Sequence, residues 1–274
     1  MEQQKQKCVA TGVESRSTEK RKVTVGSIWK SKRCGEFEVV KITNSKSAEV
    51  RFLSTGSEVK TSIKCIEIGV VRDKYFPVVC GVGFVGIGKF KPTKNRSKTK
   101  AYVKWLNMIS RCYSINYLER FPTYKDCLVC KEWHNFQNFA NWFYSNYSRN
   151  TGDSDLDKDL KIIGNKVYSP EACMLVSGVV NSFTLDASAA RGVFLIGVRN
   201  QDRYGKFVSC CGNPFTGKQD YLGVYTSEIE AHLAWRKRKS ELAYELAMIQ
   251  DRDEVKQALL NWKEALDNNL IHPY

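Results

Sequence analysis

Histidine is scarce in this chain, with three copies in 274 residues: His134, His232 and His272. A side chain that gives and takes protons near neutral pH is most simply an imidazole, so hydrolytic chemistry has few candidates to draw on. Long apolar runs are missing too. No stretch approaches the length that crosses a bilayer, and Met1 to Lys22 is polar, without the apolar core of a signal peptide. The expectation is a cytoplasmic protein with no membrane partner. Acidic residues are in deficit, 29 against 43 Lys plus Arg, for a net charge of +14. Such an excess points to a polyanionic partner, and nucleic acid comes ahead of an anionic membrane because no basic amphipathic helix dominates. The glycine-rich stretch Gly81-Val-Gly-Phe-Val-Gly-Ile-Gly88 lacks a Gly-Lys-Ser/Thr ending and a surrounding βαβ unit. That excludes both the P-loop and the dinucleotide fingerprint, leaving a strand and turn in close backbone contact.

What is present is a globular composition, 42% hydrophobic and 12% aromatic, in a chain long enough for two or three small domains. The pattern predicts an α+β fold. Residues 1–21 read as a disordered tail. In 22–88, Glu36–Ile42, Ser47–Leu53 and Glu58–Ile63 alternate apolar and polar residues, which predicts a small Tudor-like β-barrel. Residues 89–100 hold six basic side chains and no acid, a basic linker or an arm for a nucleic-acid backbone.

A central domain follows over 101–185. Its first helix, Ala101 to about Tyr113, carries a stripe of Tyr102, Trp105, Leu106, Ile109 and Cys112. A second carries Phe136, Phe139, Ala140, Trp142 and Phe143. Next come Asp155-Leu-Asp-Lys-Asp-Leu160 as a short strand, a Gly164-Asn165 turn, and a helix opened by Ser169 as N-cap and Pro170 at the first helical position. On that helix Cys173, Val176, Val180 and Phe183 fall at helical spacing, and Asn181 returns over the strand. The third domain, 192–250, shows three strands, Gly192–Arg199, Gly205–Cys211 and Gln219–Tyr225, then a long helix with Ser227 and Glu230 as a capping box. Its Trp235-Arg-Lys-Arg-Lys239 run spreads four charges around the helix. In 251–274 a last helix, about 253 to 267, places Val255, Leu259, Trp262 and Leu266 on one stripe that packs back on the long helix.

Ten cysteines in a cytosolic chain are reduced thiols or metal ligands rather than disulfides. Cys127-x-x-Cys130 can supply half a Zn²⁺ site, with Cys112, Cys173 or His134 as further ligands; the alternative is a set of reduced core thiols.

The order Trp105-Leu-Asn-Met-Ile-Ser-Arg-Cys-Tyr113, Val129-Cys-Lys-Glu-Trp133, Leu156-Asp-Lys-Asp159 and Tyr168-Ser-Pro-Glu-Ala-Cys173 resembles a family of bacteriophage HNH (ββα-metal) endonuclease-like proteins over residues 101 to 184. The resemblance implies a hairpin and a helix that hold one Mg²⁺ against a scissile phosphate, with Asp157 and Asn181 as metal ligands and Asp157, Lys158, Asp159 and Asn181 as catalytic candidates. The motif is degenerate, because Asp157-Lys158-Asp159-Leu160 stands where nuclease members have histidine. Lysine is a poor general base unless burial lowers its pKa severely, so Lys158 is expected on a phosphate. If cutting survives, its base is Lys158 or His134. Gly197-Val-Arg199, Gly205-Lys-Phe-Val208, Tyr221-Leu-Gly-Val-Tyr225 and Glu230-Ala231 are similar to the Apetala/ethylene-response-factor DNA-binding domain, which implies a sheet laid in the major groove. Carried over, Arg199, Arg203, Lys206 and Lys218 are DNA-binding candidates, with Tyr204 and Tyr221 packing or touching phosphate. The expectation is a double-stranded DNA-binding protein derived from a homing endonuclease. An active Mg²⁺-dependent nicking enzyme is the first alternative, and a module that binds a host protein the second.

Overall fold

The computed structural model describes residues 22–147, 152, 155–185, 193–201 and 205–272. The chain divides after Asp73 into two compact units. In the first, strands β1 (Ile28–Ser31), β2 (Gly35–Asn44), β3 (Ser47–Phe52) and β4 (Glu58–Ser62) form an antiparallel sheet in sequential order, followed by the one-turn helix α1 (Ile63–Glu67). Alternation buries Phe37, Val39, Ala48, Val50 and Phe52 on one face, as the period-two pattern requires. The three expected strands are present, but the barrel is not: β1 and β4 stay unpaired at opposite edges. After β4 the chain turns into α1, capped by the Ser62 side chain on the Cys65 amide, instead of crossing to β1 as closure demands.

The second unit opens with the glycine row expected to close the first. It is not a continuous strand. Single bridges join Val79 to Gly83 and Phe84 to Asn135. Close approach is why the glycines are there: a Cβ at Gly86 would lie 2.2 Å from Asn135 Oδ1, and one at Gly88 2.4 Å from Gln137 Oε1. The Gln137 side chain latches this segment, accepting the Phe90 amide at 3.0 Å and donating to the carbonyls of Val85 (3.2 Å) and Phe90 (2.9 Å). The basic stretch after it folds into a hairpin, β5 (Thr93–Lys94) and β6 (Ser97–Lys98), turned by Asn95 and Arg96 in the left-handed region.

Helices α2 (Lys100–Tyr113), α3 (Ile115–Arg120), α4 (Lys131–His134) and α5 (Phe136–Asn146) come next, and the short strand β7 (Leu128–Val129) precedes α4. Thr99 caps α2. Trp105, Met108, Ile109 and Cys112 of α2 and Phe136, Phe139, Ala140 and Phe143 of α5 are buried in one central core, and the Trp105 indole donates to the Trp133 carbonyl at 2.7 Å.

Strands β8 (Asp155–Asp157) and β10 (Met174–Val176) pair antiparallel, β9 (Val167–Tyr168) pairs with β7, and helix α6 (Gly178–Thr184) follows β10. The helix therefore starts eight residues later than the Ser169-Pro170 signal predicts. Ser169 caps only a single turn, its hydroxyl accepting the Ala172 amide, and Ser177 is the true N-cap of α6. Cys173 to Val176 is buried on every side: Leu175 enters the central core, while Met174 and Val176 enter a second core with α7 (Glu228–Met248) and α8 (Asp253–Asp267). A strand buried on both faces shows no alternation, and its apolar run imitates helical spacing.

The three-stranded sheet β11 (Val198–Asn200), β12 (Phe207–Gly212) and β13 (Gln219–Tyr225) lies against α7. At Gly197, with φ +80°, a Cβ would stand 2.1 Å from the Trp235 ring, so only glycine allows this contact. The capping box at Ser227 does not form. The Ser227 side chain makes no cap hydrogen bond; Glu230 instead accepts from Thr226 at 3.4 Å, and Glu228 accepts the Leu195 amide at 2.5 Å, tying the helix start to the sheet. Helix α8 packs along α7 as the Val255, Leu259, Trp262, Leu266 stripe predicts.

Candidate nucleic-acid interface

The C-terminal sheet has two unlike faces. Asp220, Leu222 and Cys211 belong to the side closed by α7: Cys211 and Leu222 join the core, and Asp220 pairs with Arg238 at 2.9 Å. Tyr221, between Asp220 and Leu222, points the other way and is 63% exposed. Arg199 on β11, Lys206 before β12 and Lys218 before β13 are also exposed. Arg203 and Tyr204 lie outside the described residues. The β12–β13 turn is braced. Asn213 Oδ1 accepts the amides of Phe215 (2.9 Å) and Thr216 (3.3 Å), while its Nδ2 donates to both Asp220 oxygens (3.2 and 3.1 Å). Arg238 and Asn213 together hold the Asp220 carboxyl below the ordinary aspartate range.

The four-charge run on α7 serves mostly as structure. Arg236 is buried and donates to the Leu266 carbonyl (2.5 Å) and to that of His272. It also faces Nε2 of buried His232, whose Nδ1 meets the Ile196 carbonyl at 2.9 Å. A carbonyl can only accept, so His232 carries a proton on Nδ1, and its Nε2 faces the donor-only guanidinium of Arg236. Arg238 meets Asp220, Glu241 and Glu245. Lys239 lies over the Phe183 ring at 3.5 Å and donates to the Phe183 carbonyl at 2.7 Å; burial brings its pKa down to about 8. Lys237 alone of the four is exposed.

In the β8–β10–α6 module the candidates separate. Asp157, 7% exposed, uses Oδ1 to accept the amides of Asp159 (2.9 Å) and Leu160 (2.7 Å), closing the loop that follows β8. Burial, reinforced by the Asp159 charge, raises its pKa against the pull of those two amides. Lys158 has a side chain only 12% exposed and pairs with Asp159 at 2.6 Å. Burial works against its charge, but the Asp159 carboxylate outweighs burial and holds the pKa above the ordinary lysine value. The ammonium is thus held charged beside Asp159 in a half-buried position. Asn181 does not join Asp157. It lines a small cleft with Asp155, Lys104, Asn107 and Arg111, in which Lys104 Nζ sits 2.5 Å from Asp155 Oδ1. His134 packs edge-on against Tyr113 and lines neither this cleft nor the cavity beside Asp157.

No family model, no curated protein and no solved structure matches this chain.

A Mg²⁺ ion does not fit the residues as they stand. One Asp157 oxygen is engaged by backbone amides, and a lysine ammonium occupies the place beside Asp155 and Asn181 where a cation would sit. Among the described residues no three His, Cys, Asp or Glu side chains converge in a way that could hold a metal ion. The same holds for zinc. Cys112, Cys127, Cys130 and Cys173 line the central core, where burial pushes the thiols up, to about 12 for Cys112 and Cys173 and about 11 for Cys130.

Sequence reasoning missed Asp155 and Lys104, which are 51 residues apart and carry no shared motif. It also missed His272. Held by its carbonyl on Arg236, the C-terminal segment brings His272 to a cavity of about 230 Å³ lined by Asp157, Asp159 and Trp262. Only the tertiary packing of α8 puts it there.

Proposed function

We propose that this protein binds double-stranded DNA, presenting the exposed side of β11–β12–β13 to the major groove. The β8–β10–α6 module then acts as a phosphate-gripping body that has given up metal-dependent cutting, in keeping with descent from a phage homing endonuclease of the HNH type. The observation that carries this reading is the asymmetry of the sheet. One side is sealed by α7, while Tyr221 points away from it and Arg199 and Lys206 stand exposed. An arginine can pair bidentately with guanine, lysines neutralise phosphates, and a strand pair fits the width of the major groove. A net charge of +14 supplies the long-range attraction. The exposed hairpin residues Lys94, Arg96 and Lys98, with Lys161 and Lys166 of the module, add grip on the phosphates.

The test is fluorescence anisotropy with a short labelled duplex in increasing salt. Affinity should fall linearly on a log–log plot by about 0.9 per phosphate contacted. Arg199→Ala and Lys206→Ala should each cost about 1–3 kcal/mol. Unchanged affinity in both variants would remove the sheet from the interface.

A further inference from the structure

Between α6 and the braced β12–β13 turn runs an open groove of about 710 Å³, floored by Lys239 of α7. Val179 and Ser182 line its helical side, and Asn213, Gly217 and Lys218 its turn side. Two cations and no carboxylate are among its lining residues, a one-sided charge in a chain whose other lysines and arginines are often paired. The turn wall is stiff because Asn213, Asp220 and Arg238 lock it to α7. An ammonium carries three N–H groups, and the Phe183 carbonyl takes one of those on Lys239. The groove also opens beside Lys218 and Gln219, which lead directly into the β13 strand that exposes Tyr221.

We propose that this groove seats the phosphate backbone of a DNA strand flanking the sheet, with Lys218 and Lys239 as phosphate contacts and Ser182 as a hydroxyl donor. The assignment rests on the DNA-binding reading above, and it makes α6 part of the binding surface rather than a relic of a catalytic module. Lys239 then has two jobs, holding α6 through Phe183 and facing the strand. Near neutral pH it is still largely charged, so affinity should decline as pH rises through about 8.

Val179→Glu and Ser182→Glu place a carboxylate in the groove at exposed positions where folding is not at stake. Gln257→Glu, exposed on α8, makes the same change of charge elsewhere. With the full-length protein and a short fluorescein-labelled duplex, both groove variants should bind about tenfold more weakly, with a salt slope shallower by about one. The α8 variant should bind as the parent does, and all three should melt with the parent in circular dichroism. Groove variants that bind normally while Arg199→Ala weakens binding would overturn the groove and leave the sheet standing. A parent protein that binds no duplex would overturn both. If sedimentation shows a dimer that Val179→Glu dissolves without changing affinity for DNA, the groove belongs to a second copy and the proposal fails.

Discussion

Asparagine at position 157 should leave the protein as stable as aspartate does, or more so, while alanine should weaken it. In the structure Oδ1 of Asp157 accepts two backbone amides, from Asp159 and Leu160, and an asparagine Oδ1 can accept both. The side chain also lines a cavity of about 230 Å³, so an amide nitrogen has room in place of the second oxygen. Alanine leaves both amides without a partner, at about 1 kcal/mol each, or about 2 kcal/mol in all. For a unit of about 200 residues that corresponds to a fall in Tm of about 4–8 °C. Charge adds a pH dependence. Because burial and Asp159 raise the Asp157 pKa in the folded state, the fold binds this proton more tightly than the unfolded chain does. Below the unfolded value of about 3.9 both states are protonated and aspartate costs nothing. As pH rises from there to the raised folded pKa, ionisation becomes progressively more costly to the fold, and above that the cost is constant. The asparagine variant should therefore match the parent in strong acid and gain on it through the mildly acidic range. Thermal melts of parent, Asp157→Asn and Asp157→Ala across that range check this. Should asparagine destabilise as much as alanine at neutral pH, the carboxylate charge itself is required. The loop-closing role assigned to Asp157 would then be wrong.

Gly197→Ala should be severe, because the new Cβ meets the Trp235 ring at 2.1 Å on a backbone with φ +80°; a loss of at least about 3 kcal/mol in a denaturant melt is expected. Titration with a thiol reagent should modify exposed Cys80 quickly and Cys112, Cys127, Cys173 and Cys211 only on unfolding, and metal analysis of protein purified without chelator should find no stoichiometric zinc.

The parts that were legible in the sequence are those where one periodicity had one cause. The α2 stripe of Trp105, Ile109 and Cys112 and the α8 stripe of Val255, Leu259, Trp262 and Leu266 each face one core, and their spacing says so. The alternation in β2 and β3 has the same clarity, since one face is buried and the other is wet. Met174-Leu175-Val176 misled because a strand between two cores is apolar throughout. Barrel closure was invisible because it depends on where the chain goes after β4, not on the strands. The candidate site divided in the same way. Exposure of Arg199, Lys206, Lys218 and Tyr221 follows from local alternation and turns. The Lys104–Asp155 pair, the covering of Lys158 and the arrival of His272 beside Asp157 are products of packing between distant segments.

The central claim is best tested on one gel. Purified protein is incubated with supercoiled plasmid and with phage-type genomic DNA, in Mg²⁺ or Mn²⁺ against EDTA, at several salt concentrations. The account predicts a salt-sensitive shift that Arg199→Ala weakens, identical with and without metal, and DNA that stays intact. Nicking that EDTA stops and Asp157→Ala abolishes would contradict it, because the module would then hold a working metal despite the lysine beside Asp155 and the amides on Asp157.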